Sequence, residues 1–422
     1  MRIAVVSWSR RKVGGTETYL SNVMGQLYDL GHELSFLYEV EQPVNRELIT
    51  LPSEIPTWCV TELGAKRARA ALCAWQPDLI FSHGLHNTRL EAQILKVAPA
   101  ILFAHTYYGT CISGEKTFKR PVVRPCTRNF GPQCLLHYYP HRCGGWSPIT
   151  MLRLYRAQSR RLTNARNYKA IVTHSSHMCA EFIQHGCDPA HIYNISYYSD
   201  HSNVERQQAN GNQERTPLLA TAVEATTERS SQAPWRLLFL GRMSFLKGGE
   251  TLLAASAQAR ELLKRPLHVT FAGDGPERRR WEKQAARLEA QHEGLTIEFT
   301  GWIKDAQIDA TFAQADLLVF PSLWPEPFGL IGLEAGHRGV PIAAFAVGGI
   351  TDWLFEGMNG YLAPGDPPTA RGLAEAIVKC LQDPVAHERL RRGAVEVANG
   401  FSMSNHLTTL LRVFERVLAT SH

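Results

Sequence analysis

Short runs of apolar residues alternate along this chain with longer stretches whose apolar positions recur every three or four residues. In the first half the runs are RIAVVSW (2–8), ELSFLYEV (33–40), DLIFSH (78–83), AILFAH (100–105) and AIVTHS (170–175). In the second half they are WRLLFLG (235–241), LHVTFAG (267–273), LTIEFTG (295–301), DLLVFPS (316–322) and VPIAAFA (340–346). Largely apolar runs of this length, separated by helical patterns, predict parallel strands buried on both faces. Each half reads as its own doubly wound α/β unit.

Three segments depart from this rhythm. Residues 205–234 are polar and aperiodic and read as an interdomain linker or a mobile insertion. Residues 106–148 interrupt the first half and are rich in Cys, Pro, Gly and aromatics. Residues 403–422 have the pattern of an amphipathic terminal helix. The expected division is a first domain over 1–204, the linker, a second domain over 235–402, and that helix.

Size and charge narrow the picture. At 422 residues the chain exceeds one ordinary domain. Its net charge of +6 suits anionic partners such as nucleotides or acidic lipid surfaces and does not by itself indicate nucleic-acid binding. No window holds a membrane-spanning apolar run. The first apolar run is cut short by charge, which argues against a signal peptide. Nine cysteines without an export signal point to mostly free thiols and a cytoplasmic location.

Ligands of open α/β sheets bind beyond the carboxyl ends of the strands, so the strand ends come first. After the first strand, Gly14 and Gly15 permit close backbone approach and Thr16 can cap the next helix; this is an anion or sugar site, or else a plain strand-to-helix turn. The full G-x-G-x-x-G spacing is absent. In GRMSFLKGGE (241–250), Arg242 and Lys247 flank a short loop, suiting a diphosphate whose charge grows as a bond breaks, or forming a solvated basic loop. Gly273 and Gly275 in FAGDGP make a turn, with Pro276 pre-setting the first helical turn; the stretch is either a structural turn or part of the lining of a nucleotide cleft.

The stretch PSLWPEPFGLIGLEAG (321–336) holds two acids eight positions apart. Pro325 and Pro327 keep Glu326 out of a helix, whereas Glu334 falls inside one. Amides near Phe328, Gly329 and Leu330 then point between the acids, offering amides for phosphate and carboxylates for hydroxyls. A helix cap beside an ion pair is the alternative reading.

The motifs E-x7-E at 326–334, GR…K at 241–247, GDGP at 273–276, GG at 348–349 and GG at 14–15 occur in one order. Together they resemble the GT-B retaining glycosyltransferases of family 4 (glycosyl transferases group 1), most strongly over 235–365. The resemblance implies an α/β chain of two facing Rossmann-like doubly wound domains, with the terminal helix crossing back to the first. It also implies a donor held mainly by the second domain through Gly241, Gly273, Phe328, Gly329, Leu330, Gly348 and Gly349. By the same resemblance, Glu334 would bind ribose and Glu326 the transferred sugar. Arg242 and Lys247 would neutralise the leaving diphosphate, Gly14 and Gly15 would close over it, and His105 would stand beside the sugar. Asp352 occupies a position where the family usually has an acid one methylene longer.

The implied activity is retaining transfer of a sugar from a UDP- or GDP-sugar to a glycan or lipid-linked acceptor in surface polysaccharide or glycolipid synthesis. A nucleotide-sugar epimerase or hydrolase, and a non-catalytic binding subunit, are the competing readings. No D-x-D pair occurs, so no catalytic metal is expected. Cys111, Cys126, Cys134 and Cys143, with His137 and His141, could bind structural zinc, but no C-x2-C pair is present and an acceptor-side loop with free thiols is preferred. Residues 151–170 read as a helix with Met151, Leu152, Leu154, Tyr155 and Leu162 on one face and Arg153, Arg156, Arg160 and Arg161 on the other. That basic face is either merely solvated or a peripheral contact with an anionic membrane.

Overall fold

The computed structural model describes residues 1–11, 15–41, 47–199 and 233–420. Its contacts divide the chain into two compact units, one of Met1–Lys116, Thr127–Ser196 and Ser404–His422, the other of Thr117–Cys126 and Tyr197–Met403.

The first unit begins β1 (Arg2–Ser9), α1 (Gly15–Asp29), β2 (Glu33–Val40), β3 (Thr57–Cys59), α2 (Val60–Leu63), α3 (Ala65–Trp75), β4 (Leu79–Ser82), α4 (Thr88–Ile94) and β5 (Ala100–Phe103). A two-stranded hairpin, β6 (Thr117–Phe118) and β7 (Arg124–Pro125), belongs to the second unit. The first unit resumes with α5 (Gln133–His137), α6 (Pro148–Ala165), β8 (Ala170–Thr173), α7 (Ser176–Gln184) and β9 (Ile192–Asn194). Its sheet is parallel, in the order β3-β2-β1-β4-β5-β8-β9. The order reverses between β1 and β4, which opens a crevice at their carboxyl ends. Ile3, Ala4, Val5 and Val6 of β1 are all buried, as a strand covered on both faces requires.

The second unit contains β10 (Trp235–Leu240), α8 (Gly249–Leu263), β11 (Leu267–Ala272), α9 (Arg278–Gln291), β12 (Leu295–Gly301), α10 (Asp305–Ala313), β13 (Leu317–Phe320), α11 (Ile331–His337), β14 (Ile342–Phe345), β15 (Gly360–Ala363), α12 (Ala370–Leu381) and α13 (Pro384–Asn399). Its parallel sheet runs β12-β11-β10-β13-β14-β15, with the switch between β10 and β13. Trp281 and Trp353 are fully buried, each filling space left by a glycine, Gly249 and Gly332 respectively.

The last helix, α14 (Met403–Ala419), packs in the first unit. Leu407, Leu410, Phe414 and Val417 form its buried face, and the Phe414 ring lies 5.1 Å from that of Phe81 on β4.

All ten apolar runs form strands. The remaining strands, β3, β6, β7, β9 and β15, hold two to four residues each and do not stand in a largely apolar run. The expected helix over 151–170 is displaced: α6 starts at Pro148, after the Ser147 cap, and ends at Ala165. Its fully buried positions are Gln158, Asn164 and Ala165, not the apolar stripe; Leu152 is exposed and Arg161 is half-buried. Arg153, Arg156 and Arg160 are exposed, as the expected basic face requires, and polar partners explain the buried amides. Gly109 N donates to Gln158 Oε1 at 2.8 Å, and Asn164 Nδ2 donates to Glu91 Oε2 at 2.7 Å. Nearly all of the proposed linker, residues 205–232, lies outside the described residues, as does Gly14.

Candidate functional site

In the second unit the site is assembled from loops at the carboxyl ends of neighbouring strands. The loop after β10 is held to the loop after β11: Gly241 N donates to Ala272 O at 3.0 Å and Met243 N to Asp274 O at 2.9 Å. Gly273 N in turn donates to Gly301 O, at the end of β12, at 2.8 Å. Leu323, after β13, donates its amide to Leu246 O at 2.8 Å, tying the loop after β13 to the one after β10.

Glu326 is the hub. Its side chain is buried, and one oxygen, Oε1, accepts from Lys247 Nζ at 2.6 Å, Trp324 Nε1 at 2.7 Å and Ser322 Oγ at 2.5 Å. The other oxygen, Oε2, takes no hydrogen bond from the described residues, so half of the carboxylate remains available to a ligand. The flanking prolines keep this residue extended, and it pairs as a parallel bridge with Gly348, while Gly349 N donates to Glu326 O at 2.7 Å. Gly348 is at φ +60°, ψ −135°, and a Cβ there would collide with the Glu326 carbonyl oxygen.

Lys247 closes a 3₁₀ turn (Phe245–Lys247), its Nζ 5.5 Å from the Phe320 ring and 5.8 Å from the Trp324 ring. Arg242 differs: it is exposed, and its guanidinium meets no carboxylate among the described residues. The pair expected to act alike is thus one buried-site cation already balanced by Glu326 and one open cation.

Past Glu326, Trp353 Nε1 donates to Phe328 O at 2.7 Å and anchors the turn that precedes α11. The amides of Phe328, Gly329 and Leu330 make no hydrogen bond to the described residues, as the open start of a helix leaves them. Glu334 stands in the first turn of α11, half-buried. Asp352 ends the 3₁₀ turn that starts at Gly349. Pro276 lies outside α9, which starts at Arg278.

The first unit has its own concavity, about 300 Å³, at the ends of β4 and β5. Trp8, Thr16, His86, His105, Tyr108 and Arg161 are in its wall. Thr16 is within the first turn of α1, which opens at Gly15, so it lines the cavity instead of capping the helix. The Trp8 and His86 rings stack at 5.0 Å, and Glu39 fixes that loop by accepting from His86 N at 2.5 Å and Asn87 N at 2.7 Å. Arg161 lies over the Tyr108 ring at 4.7 Å. Deeper in the wall Glu91 accepts from Tyr168 Oη at 2.8 Å as well as from Asn164, and burial raises its carboxyl despite those bonds.

His105 is part of a cluster the sequence does not reveal. Its Nε2 lies 2.7 Å from His83 Nδ1, and the His174 ring centre is 5.4 Å away. His406 of α14 joins through Tyr19, whose hydroxyl is 2.9 Å from His406 Nε2. Desolvation by burial lowers His105 to about 3 and His406 to about 4, and holds His83 and His174 well below the ordinary value, aided by their histidine neighbours. All four imidazoles are therefore neutral at pH 7.

Sequence reasoning also passed over Ser322 and Trp324, which stand within four residues of Glu326 and hold it. The signal was in the quoted stretch, but only folding turns both side chains onto one oxygen. Of the thiols, Cys111 and Cys143 are buried and Cys126 and Cys134 partly so, and none of the four is in a disulfide. Among the described residues no three His, Cys, Asp or Glu side chains gather as a metal site, and no helix is long and apolar enough to cross a membrane.

Two family models match the chain: one described as Glycosyltransferase Family 4 over residues 13–196, the other as Glycosyl transferases group 1 over residues 225–397. Glycogen synthase of Mycobacterium tuberculosis is 33% identical over 168 residues, covering 39% of this chain and 38% of that protein. D-inositol 3-phosphate glycosyltransferase 1 of Catenulispora acidiphila is 33% identical over 196 residues, covering 43% of this chain and 44% of that protein. The chain thus spans about two fifths of the length of the curated relatives it matches. The solved sucrose-phosphate synthase of Thermosynechococcus elongatus shares the fold with a TM-score of 0.69 at 19% identity, covering 100% of both chains. HepE of Anabaena, solved with UDP and glucose, shares it with a TM-score of 0.65 at 19% identity over 99% of this chain and 100% of its own.

Proposed function

We propose, for a chain that belongs to the glycosyltransferases of group 1 and family 4, that it moves a sugar from a nucleoside diphosphate sugar to a glycan or lipid-linked acceptor. The observation that carries this reading is the Lys247–Glu326 pair at the switch point of the second sheet, with one carboxylate oxygen and the amides of Phe328, Gly329 and Leu330 open beside it.

The roles follow from chemistry. Open amides and the unpaired Arg242 suit the diphosphate. Glu334 suits the ribose hydroxyls. Oε2 of Glu326 accepts from a hydroxyl of the transferred sugar, while its Oε1 keeps Lys247 aimed. When the bond from the anomeric carbon to the diphosphate oxygen breaks, negative charge grows on that oxygen, and Lys247 and Arg242 stabilise it. The acceptor hydroxyl bonds to the anomeric carbon and its proton passes to the departing diphosphate; attack from the same face gives retention. His105, neutral at working pH, serves as a hydrogen-bonding partner of the sugar and not as a charge. The cavity lined by Trp8, Tyr108 and Arg161 is the acceptor site: aromatic faces suit sugar rings, and Arg161 suits an acidic group.

UDP is the favoured nucleotide of the donor, since HepE was solved with it. The chain has no D-x-D pair, so charge neutralisation is assigned to side chains and not to a metal. The product belongs to surface polysaccharide or glycolipid assembly at the cytoplasmic side of a membrane. Thermal-shift screening of UDP-, GDP- and ADP-sugars, followed by donor turnover with and without acceptor extracts and with EDTA, tests the reading. The expected results are stabilisation by one donor class, turnover that depends on acceptor, and indifference to EDTA. Turnover independent of acceptor would identify a hydrolase or epimerase instead.

A further inference from the structure

The segment joining α5 to α6 exposes apolar side chains that an aqueous surface does not favour. Leu136 is 76% exposed, Trp146 69%, Ile149 64% and Leu152 42%. Single exposed apolar residues are ordinary, but these four fall within seventeen residues of one short helix, its loop and the next helix. Trp146 is not a loose side chain. Its ring lies parallel to that of Tyr139 at 6.2 Å, and Arg142 covers it at 4.9 Å. Ser147 caps α6 and Pro148 starts it, which fixes Trp146 just ahead of the first helical turn.

Along α6 the exposed stripe changes character. Ile149 and Leu152 occupy the first turns. Arg153, Arg156 and Arg160 continue the same face at spacings of three and four, all exposed. None of the three enters an ion pair among the described residues. From Thr127 to Ala180 the chain has eight Lys or Arg and no Asp or Glu. An acidic residue would normally be interleaved on a solvated helix face of this length. The combination of a protruding Trp, two branched aliphatics and an unneutralised basic stripe matches the boundary of an anionic bilayer, where Trp seats at headgroup level and Arg meets lipid phosphate.

From this we infer that the α5–α6 face of the first unit docks on an anionic lipid surface, with Trp146, Ile149 and Leu136 entering the headgroup boundary and Arg153, Arg156 and Arg160 meeting the phosphates. The inference deepens the proposed function, since it places a lipid-linked acceptor within reach of the enzyme. It fails separately from that reading, because its test measures vesicle binding and not transfer.

The full-length protein is floated with phosphatidylcholine vesicles, and with vesicles in which about one lipid in three is phosphatidylglycerol. Binding should favour the anionic vesicles about tenfold and weaken as salt is raised. Trp146→Ala with Ile149→Ser should lower binding about tenfold. Arg153→Glu with Arg156→Glu should remove the preference for anionic lipid. In both variants the unfolding temperature and the thermal shift on adding nucleotide sugar should stay as in the parent, since these side chains are exposed. Trp146→Phe, which keeps an apolar ring, should retain most of the binding. Equal binding to both vesicle types, full binding by the Trp146→Ala/Ile149→Ser variant, or equally tight binding to dextran sulfate in solution would overturn the inference, the last pointing to an acidic polymer partner.

Discussion

Lys247 Nζ lies 2.6 Å from Glu326 Oε1, although 79 residues separate the two in the chain. The contact joins the loop after β10 to the loop after β13 across the switch point of the sheet. A cation that would otherwise be mobile is thereby held in one place, and the carboxylate that holds it keeps one oxygen open.

Replacing Lys247 by Ala should cost most of the turnover. A cation facing a departing diphosphate lowers the barrier by about 2–4 kcal/mol in comparable roles, on the order of a hundredfold in kcat. Glu326 keeps Ser322 and Trp324 as donors, so the fold should survive with a loss of about 1–3 kcal/mol for the partner removed. Steady-state kinetics beside urea unfolding checks both parts, and a near-normal kcat would show that the loop has another role.

Arg242 should respond differently. It has no carboxylate partner among the described residues, so Arg242→Ala should leave the unfolding temperature unchanged. Affinity for the free nucleoside diphosphate should fall about tenfold, in line with loss of one charge-assisted hydrogen bond. Titration calorimetry with the diphosphate reads this directly.

The two glutamates should fail in distinct ways. Glu334→Gln, remote from the reacting carbon, should weaken donor and free diphosphate together. Glu326→Gln should leave diphosphate binding nearly intact and lower kcat, because its open oxygen orients the sugar and its bonded oxygen aims Lys247. Equal weakening of diphosphate binding by both variants would refute this division.

Gly348→Ala tests the backbone beneath the site. At φ +60°, ψ −135° the position suits only glycine, and the added methyl meets the Glu326 carbonyl. The bridge between Glu326 and Gly348 should open, with a stability loss of about 2 kcal/mol or more and a raised donor KM. Thermal unfolding of Gly348→Ala without any shift would mean that the loop relaxes freely.

The histidine cluster sets a pH dependence of stability. His406 and His105 take a proton in the fold only near about 4 and about 3, against an ordinary value of 6.5, and His83 and His174 shift the same way. Below 6.5 the unfolded chain binds protons that the folded chain refuses, so stability falls as pH drops through that window; above it both states are neutral and the effect vanishes. The urea midpoint should therefore decline between about pH 7 and about pH 5. His406→Gln, which can still reach Tyr19, should flatten the decline. The same slope in parent and variant would exclude His406 from it.

Strands such as β1, β4 and β13 were legible because burial on both faces demands runs dense in apolar residues, a property of adjacent residues, whereas β12, at the edge of its sheet, alternates buried and exposed positions instead. The loop position of Glu326 and the helical position of Glu334 were legible for a similar reason, since proline and glycine act on their own neighbourhood. Family membership could be read as well, from the order of strand-end motifs. What only the tertiary structure decided depends on residues far apart in the chain. It includes the capture of Lys247 by Glu326, the convergence of Ser322 and Trp324 on the same oxygen, and the gathering of His83, His105, His174 and His406. The inward turn of Arg161 and the outward turn of Leu152 belong there too: periodicity ranks side chains by polarity, whereas the fold ranks them by available partners. Gln158 and Asn164 found a backbone amide and a buried carboxylate, so α6 buries these two amide side chains while Arg153, Arg156 and Arg160 stay in solvent and Leu152 is left on the surface beside them.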